Sequence, residues 1–162
     1  MQEKYPFSIR ETIRFHHCDP AGIVFYPQYL VILHAFIERW FDDGLDEPYA
    51  RLISAKRLGI PVVRLDCEFF SPSQLGDEVT LTLSVDRLGH SSIDLHLEVR
   101  GTDGDGAEHT RVRVRQTVVL MSLETRRAVP LPPSLRARMA SQLIERTTEN
   151  AFRFTNGLSS QA

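Results

Sequence analysis

Apolar and polar side chains follow two different periods along the first part of the chain. In residues 5–15 apolar side chains take nearly every second position, and this period of two predicts a strand. From residue 23 to residue 44 they recur three and four positions apart, which is typical of one long amphipathic helix. Gly44 is the expected end of that helix, and residues 16–22 form the turn between the two elements.

The second half of the chain returns to the period of two. A shorter helix over about residues 47–58 is expected to end at Gly59. Four segments then alternate apolar and polar side chains as half-buried strands do: residues 62–70, 78–87, 91–100 and 109–121. Glycine-containing turns at 88–90 and 101–106 join the last three segments, which predicts an antiparallel meander. A final helical period covers about residues 133–150.

This order of elements predicts an α+β fold. The long helix and the sheet each have an apolar face that needs a partner. We therefore expect an antiparallel sheet wrapped around one long central helix, with the C-terminal helix added to it. A length of 162 residues is typical of one domain, and the whole chain, 1–162, is assigned to it.

Composition excludes several classes of function. A net charge of −2 argues against a nucleic-acid-binding protein. Three arginines alternate with valine, and we expect them on a solvated strand face: Arg111, Arg113 and Arg115.

The sequence also shows no membrane or secretion signal. No run approaches the roughly 18 apolar residues of a membrane span, and the N-terminal residues do not resemble a signal peptide. We expect a cytoplasmic protein without a membrane partner. Cys18 and Cys67 are too few for a disulfide scaffold or a four-thiolate zinc site.

The turn before the long helix contains one carboxylate, Asp19, and passes directly into the apolar residues Ile23 to Tyr26. A turn that leads into an apolar segment takes its backbone toward the interior, so Asp19 is expected at the mouth of a buried site. The helix N-terminus that follows offers free N–H groups where an oxyanion can develop. The alternative is a structural role, in which Asp19 accepts a hydrogen bond from the backbone two residues on.

The ten residues from Cys18 to Pro27, CDPAGIVFYP, followed by Tyr29, carry a family resemblance. They resemble the active-site signature of the hotdog-fold 4-hydroxybenzoyl-CoA thioesterase family. The element order is similar to that family over about residues 8–125, and the C-terminal helix at about 133–150 lies outside the resemblance. The resemblance implies a hotdog fold and hydrolysis of an aryl or related acyl-CoA. It implies no cofactor, because coenzyme A is part of the substrate.

The same resemblance implies roles for three residues of the motif. Asp19 is the catalytic carboxylate, the backbone N–H of Tyr26 polarises the thioester carbonyl, and Gly22 lets the chain turn closely past the substrate. A thioester is activated and its thiolate leaves readily, so a carboxylate and an oxyanion site suffice without a triad. Asp19 either attacks the carbonyl or activates a water molecule, and the sequence leaves both routes open.

Histidines near the motif are further candidates. His17 adjoins it and is a candidate for lining the site. His16 is its neighbour, but adjacent residues of an extended segment point to opposite sides, so a shared metal ion is not expected. His34 lies eight residues after Tyr26, at the helix position where hydroxybenzoyl-specific members of the family carry an acidic residue for the phenol hydroxyl. We interpret His34 as a substrate-binding candidate, the alternative being a histidine of the core.

A hairpin between two long strands supplies the last candidates. Hotdog thioesterases often have a Gly-x-Ser-Ser segment that contacts the pantetheine arm, and Gly89, Ser91 and Ser92 resemble it. Arg87 and His90 are the possible partners of the coenzyme A phosphates. The alternative is an ordinary hairpin turn with polar flanks.

A single sheet around one helix leaves strand edges uncovered, and uncovered edges favour pairing with another chain. In the hotdog family two protomers join their sheets edge to edge and share active sites. The resemblance therefore implies a homodimer or homotetramer. Two rival functions remain: a hotdog hydratase, whose paired Asp and His in one loop are not found here, and a non-catalytic module that binds acyl thioesters.

Overall fold

A computed structural model of the chain describes residues 7–144. The helices are α1 (Tyr26–Arg39), α2 (Tyr49–Ser54) and α3 (Pro133–Ala140), and a π turn, Trp40–Gly44, extends α1. The strands are β1 (Phe7–Thr12), β2 (Leu58–Gly59), β3 (Val62–Phe69), β4 (Glu78–Leu88), β5 (Ser92–Thr102), β6 (Glu108–Val119) and β7 (Met121–Ser122).

Five strands form one antiparallel sheet in the order β1-β4-β5-β6-β3. The meander of β4, β5 and β6 is confirmed. β3 pairs with β6 and not with β4, its successor in sequence, so residues 70–77 cross from one edge of the sheet toward the other. β2 and β7, which the period did not predict, form a separate two-stranded sheet.

Helix α1 packs against one face of this sheet, as its apolar stripe predicts. Its buried side chains are Tyr29, Ile32, Leu33, Phe36 and Ile37. They share one core cluster with the alternating apolar residues of the sheet, including Leu81, Leu83, Leu95, Leu97, Val112 and Val114. Each fully buried side chain of this kind stabilises the fold by roughly 1.5–3 kcal/mol. The expected α+β architecture, a sheet around one long helix, is confirmed.

The long helix ends at Gly44, as expected, and the structure gives the physical reason. A Cβ atom at Gly44 would lie 2.7 Å from Cδ1 of the buried Trp40 side chain. Only glycine fits there without a shift of the tryptophan.

The prediction for the first strand was too long. β1 ends at Thr12, and a short 3₁₀ turn, Phe15–His17, follows it. Ile13 is therefore buried while Phe15 is exposed, although the period of two placed them on one face. The turn rotates the side chains that a continued strand would have aligned.

The prediction for the second helix was also too long. α2 stops at Ser54, and Gly59 lies in β2 instead of ending the helix. Arg57 adopts a positive φ of 54°, which a continuous helix does not allow.

The C-terminal helix is confirmed over Pro133–Ala140, but the predicted span was longer. Ile144 donates its N–H to the carbonyl of Val85 and so runs beside β4 instead of continuing the helix. Residues 145–150 of the predicted helix lie outside the described residues.

The three alternating arginines of β6 do not lie on a solvated face, so that prediction was wrong. Arg111 is buried and contacts Asp103 at 2.5 Å and Ser71 Oγ at 2.9 Å. Arg113 donates to the buried carboxylate of Glu98 at 2.7 Å. Arg111 therefore connects β6 to Ser71 and Asp103 outside the sheet, and Arg113 connects β6 to the neighbouring strand β5.

Candidate active site

Residues 17–25 form a small hairpin loop that presents Asp19. The N–H of Phe25 donates to the carbonyl of His17 at 2.9 Å, and the N–H of Asp19 donates to Ile23 at 3.0 Å. At the tip, the N–H of Gly22 donates to the Asp19 carbonyl, and Gly22 has a φ of 76°. Such a φ favours glycine, so the motif's glycine is explained by the turn itself.

The Asp19 carboxylate is partly exposed beside this turn. Its Oδ1 accepts a hydrogen bond from the N–H of Ala21 at 2.8 Å, which is the structural role that the sequence left open as an alternative. Within residues 7–144 the second oxygen, Oδ2, has no hydrogen-bond partner. One oxygen therefore fixes the orientation of the carboxylate, and the other is free for chemistry.

The first N–H of helix α1 lies at the end of the same loop. The N–H of Phe25 is bonded to His17, Pro27 has no N–H, and the N–H of Gln28 donates to the Phe25 carbonyl. Among the described residues, the N–H of Tyr26 has no partner, and no side chain caps the helix. A free N–H at the positive end of a helix dipole stabilises a developing oxyanion.

A contact from elsewhere in the sequence holds this loop, and sequence reasoning missed it. Val24 donates its N–H to the carbonyl of Ser73 at 2.9 Å, and Ser73 donates its own N–H to the hydroxyl of Tyr29 at 2.9 Å. Leu75 donates to the carbonyl of Gly22. These hydrogen bonds join residues about 50 positions apart in the sequence, and no local pattern of residues predicts such contacts.

His17 is buried, and its ring hydrogen-bonds to the backbone just before the loop. Its Nδ1 accepts the N–H of Arg14 at 2.9 Å, and burial, followed by the neighbouring His16, lowers its pKa. The His16 and His17 rings lie 4.0 Å apart because their segment is a 3₁₀ turn, so the prediction that they point to opposite sides was wrong. His17 lines a cavity of about 260 Å³ between β1 and α1, to which Asp19 does not contribute.

His34 lies on the exposed side of α1, so it is not a core histidine. Eight residues separate it from Tyr26, which corresponds to about 12 Å along the helix axis. Its Nε2 lies 3.3 Å from Glu38 Oε1, and its ring contacts Tyr49 edge-on at 6.3 Å. The side chain is therefore available to a ligand but partnered by a carboxylate.

The candidate hairpin does not meet Asp19 within one chain. Residues 87–92 join the end of β4 to the start of β5, whereas the Asp19 loop contacts residues 73–75, just before β4 begins. The eleven residues of β4, from Glu78 to Leu88, separate these two ends by ten steps along the strand, or roughly 33 Å. The hairpin is ordered, because Gly89 donates its N–H to the Ser92 carbonyl at 2.8 Å and Arg87 pairs with Asp94 at 2.8 Å.

The remaining hairpin residues, His90 and Ser91, contribute their backbone carbonyls to the fold. These accept the N–H groups of Leu131 and Leu120. The His90 side chain is exposed.

Cys18 and Cys67 are free thiols. In the part of the chain from 7 to 144, no three His, Cys, Asp or Glu side chains lie together as metal ligands would. The helices of the same part are too short or too polar to cross a membrane.

Comparison with known proteins connects this geometry to a family. The family model of the thioesterase-like superfamily matches residues 13–139. This chain belongs to that superfamily. The chain is 28% identical over 134 residues to a 1,4-dihydroxy-2-naphthoyl-CoA hydrolase of Thermosynechococcus vestitus, covering 82% of this chain and 87% of the relative. It is 26% identical over 125 residues to the hydrolase of that name from Acaryochloris marina, covering 76% and 88%.

Solved structures of thioesterases are similar to this one. A gentisyl-coenzyme A thioesterase superposes with a TM-score of 0.71 and 25% identity, covering 82% of this chain and 99% of that chain. The 4-hydroxybenzoyl CoA thioesterase from Pseudomonas sp. strain CBS-3 superposes with a TM-score of 0.73 and 24% identity, covering 82% and 97%. The hotdog fold is confirmed, and so is the expectation of a thioesterase, at the level of the superfamily. The roles of individual residues stay predictions.

Proposed function

We propose that this chain hydrolyses an aromatic acyl-CoA to the free acid and coenzyme A. The observation that carries the proposal is the loop of residues 17–25. It holds Oδ2 of Asp19 and ends at the N–H of Tyr26, and neither group has a hydrogen-bond partner within residues 7–144. The aromatic acyl group is supported by the relatives, which are named as hydrolases of 1,4-dihydroxy-2-naphthoyl-CoA. It is also supported by the exposed aromatic side chains near Tyr26.

In this proposal the N–H of Tyr26 donates to the thioester carbonyl oxygen, where negative charge develops. Asp19 then acts in one of two ways. It attacks the carbonyl to give an acyl-aspartate and release the thiolate, and water hydrolyses that intermediate, or it accepts a proton from the water that attacks. Both routes consume one water and yield one carboxylic acid and one thiol.

We place His34 as the partner of a polar substituent on the aromatic ring. Its imidazole is exposed, and Glu38 at 3.3 Å holds one ring nitrogen. The other nitrogen is then available to a phenol hydroxyl. Gly22 keeps the tight turn beside Asp19, and His17 supports the loop from below through its bond to Arg14.

The hairpin and the Asp19 loop lie at opposite ends of β4, so they can serve one site only if they come from two protomers. This separation supports a homodimer, or a homotetramer built from such dimers. β3 is the edge strand of the sheet, and its apolar residues Val62, Val63 and Leu65 are exposed. Antiparallel pairing of two β3 edges would bring the hairpin end of one sheet toward the Asp19 end of the other. In such a pair Arg87, Gly89, His90, Ser91 and Ser92 of one protomer serve the coenzyme A bound at its partner's Asp19.

The test is the release of coenzyme A from a panel of thioesters. The panel holds 1,4-dihydroxy-2-naphthoyl-, 4-hydroxybenzoyl-, benzoyl-, phenylacetyl-, acetyl- and palmitoyl-CoA. We expect an aromatic thioester to have the highest kcat/KM. Asp19→Asn keeps the acceptor for Ala21 but loses the charge, and it should lower kcat by about 10³-fold, or roughly 4 kcal/mol of barrier.

Asp77→Asn is the matched control. The Asp77 carboxylate also accepts one backbone N–H at 2.8 Å, from Gln74, in a neighbouring turn. Its substitution should leave kcat within about threefold, which is under 1 kcal/mol. If the protein binds the thioesters but turns over none of them, the non-catalytic binding module replaces this proposal. If Asp19→Asn turns the thioesters over as fast as the wild type, the catalytic role of Asp19 is wrong.

A further inference from the structure

Three aromatic rings form an exposed face beside the first turn of α1. The Tyr26 ring meets the Phe69 ring at 6.1 Å with an interplanar angle of 89°, and the Phe25 ring meets Tyr26 at 5.4 Å and 67°. We call Phe25, Tyr26 and Phe69 the aromatic face. Tyr26 is 62% exposed and Phe69 51% exposed, so large apolar surface remains in contact with solvent. Such surface in one patch marks a binding site more often than scattered exposed residues do.

Phe69 is the member of this face with a rigid support. Its ring lies 6.1 Å from the ring of Tyr29, which is buried and bonded to the Ser73 N–H. One side of Phe69 therefore rests on the core, while half of its surface is open. A ring held in this way costs little conformational entropy when a ligand packs against it.

The aromatic face adjoins the group that would hold the reacting carbonyl. Tyr26 contributes both a ring of the face and the free N–H at the helix start. If the carbonyl oxygen of a substrate accepts that N–H, its acyl group starts beside the rings of Phe25 and Tyr26. A flat aromatic acyl group can then lie edge-on or offset against Phe69, at the 4.5–7 Å separations that aromatic pairs prefer.

We propose that Phe69 determines the preference of this site for aromatic acyl thioesters over saturated ones of the same size. The inference rests on the proposed thioesterase function and adds a specificity-determining residue to it. Phe69 contacts the substrate ring but takes no part in bond breaking.

Phe70 supplies a matched control one residue away. Its ring is 52% exposed, as Phe69 is, but it lies under the guanidinium of Arg113, whose carbon is 5.1 Å from the ring centroid. Phe70 directly follows the end of β3, and among the described residues its ring pairs with the Arg113 guanidinium and with no ring of the aromatic face. Substitution of either residue removes one half-exposed ring from the same segment.

The experiment compares benzoyl-CoA with cyclohexanecarbonyl-CoA, which have the same ring size and differ in aromaticity. For the wild type, Phe69→Leu and Phe70→Leu, kcat/KM is measured for both thioesters, and size-exclusion chromatography with light scattering records the assembly state. We expect the wild type to prefer benzoyl-CoA. Phe69→Leu should lower the benzoyl-to-cyclohexanecarbonyl ratio about tenfold, which corresponds to about 1.4 kcal/mol, and Phe70→Leu should leave the ratio unchanged.

The ratio separates a specificity role from a structural one. A loss of fold or of a subunit contact lowers both rates together, so an unchanged ratio in Phe69→Leu overturns the inference even if that variant is less active. A ratio that falls equally in Phe70→Leu also overturns it. If the wild type hydrolyses neither of these two thioesters nor any aromatic thioester of the panel above, the proposed function fails. The inference is then decided by benzoyl-CoA binding, which only Phe69→Leu should weaken.

Discussion

The hydroxyl of Tyr29 accepts a hydrogen bond from the backbone N–H of Ser73 at 2.9 Å, across 44 positions of sequence. The carbonyl of the same Ser73 accepts the N–H of Val24. One buried tyrosine on the long helix thus holds the segment that holds the Asp19 loop. The contact connects the packing of the core to the geometry of the candidate site.

Tyr29→Phe should therefore destabilise the protein and reduce activity together. The substitution keeps the ring but leaves the Ser73 N–H buried without an acceptor, which costs about 1–3 kcal/mol. Urea unfolding measures the loss of stability, and coenzyme A release measures the loss of activity at a temperature where the variant is folded. Tyr26→Phe is the control, because it removes the same hydroxyl from an exposed tyrosine. This substitution should change the free energy of unfolding by less than about 0.5 kcal/mol. Equal stability of the two variants would contradict the role of Tyr29.

Gly22→Ala tests whether the turn beside Asp19 depends on its backbone conformation. A Cβ at Gly22 would meet no atom within 4 Å, but φ is 76°, so the expected cost of about 1–2 kcal/mol is conformational and not steric. Gly104→Ala is matched to it, since Gly104 also has open space but no positive φ. We expect thermal unfolding to show a lower Tm and assays to show a lower kcat only for Gly22→Ala. A similar drop in both variants would remove the conformational explanation.

The sequence predicted what depends on neighbouring residues. The period of apolar positions located α1 and the meander of β4, β5 and β6 because those patterns follow from a face that is buried along one element. It also placed Asp19, Gly22 and Tyr26 together, since they belong to one continuous loop. Local patterns failed where a segment changes conformation within a few residues, as at the 3₁₀ turn of His16 and His17.

Contacts between distant segments were beyond the reach of such patterns. Nothing in the sequence indicated that β3 would pair with β6, that Ser73 would hold the Asp19 loop, or that Arg111 would be buried against Asp103. The position of the 87–92 hairpin is of the same kind. Its residues were predicted to contact coenzyme A, which stays a prediction, and within one protomer the sheet topology places them at the opposite end of β4 from the Asp19 loop.

His17 predicts a pH dependence of stability. Burial and His16 hold its pKa below the ordinary value of 6.5, so the unfolded chain binds a proton at a higher pH than the folded chain does. The contribution of His17 to stability is therefore complete well above pH 6.5 and is lost as the pH falls from that value toward the lowered pKa. The charges of Glu11 and Arg14 act on it in opposite directions.

His17→Asn should make this dependence shallower. In the wild type the N–H of Arg14 donates to Nδ1 of His17. The side-chain oxygen of asparagine can accept the same N–H, but asparagine does not titrate. We expect the free energy of unfolding of the wild type to fall more steeply between pH 7.5 and pH 5.5 than that of the variant, as measured by urea titration at each pH. Parallel curves would show that His17 is not a source of the dependence.

The edge strand β3 predicts the assembly. Leu65 is 41% exposed on this edge, and pairing of two β3 strands would bury it. Leu65→Lys places a charge in that interface, so light scattering should show a lower mass than the wild type, with a dimer or tetramer replaced by a monomer. Activity should fall with it, because the partner's hairpin no longer reaches the coenzyme A.

Leu143→Lys is the control for this substitution. Leu143 is the same residue type and is 42% exposed, but it lies beside β4, away from the β3 edge. The variant should keep the mass and the activity of the wild type. A monomeric and fully active wild type would contradict the shared site, and so would a Leu65→Lys variant that keeps its mass. If Leu65→Lys is monomeric but retains full kcat/KM, the edge is an interface and the hairpin of the partner plays no part in catalysis.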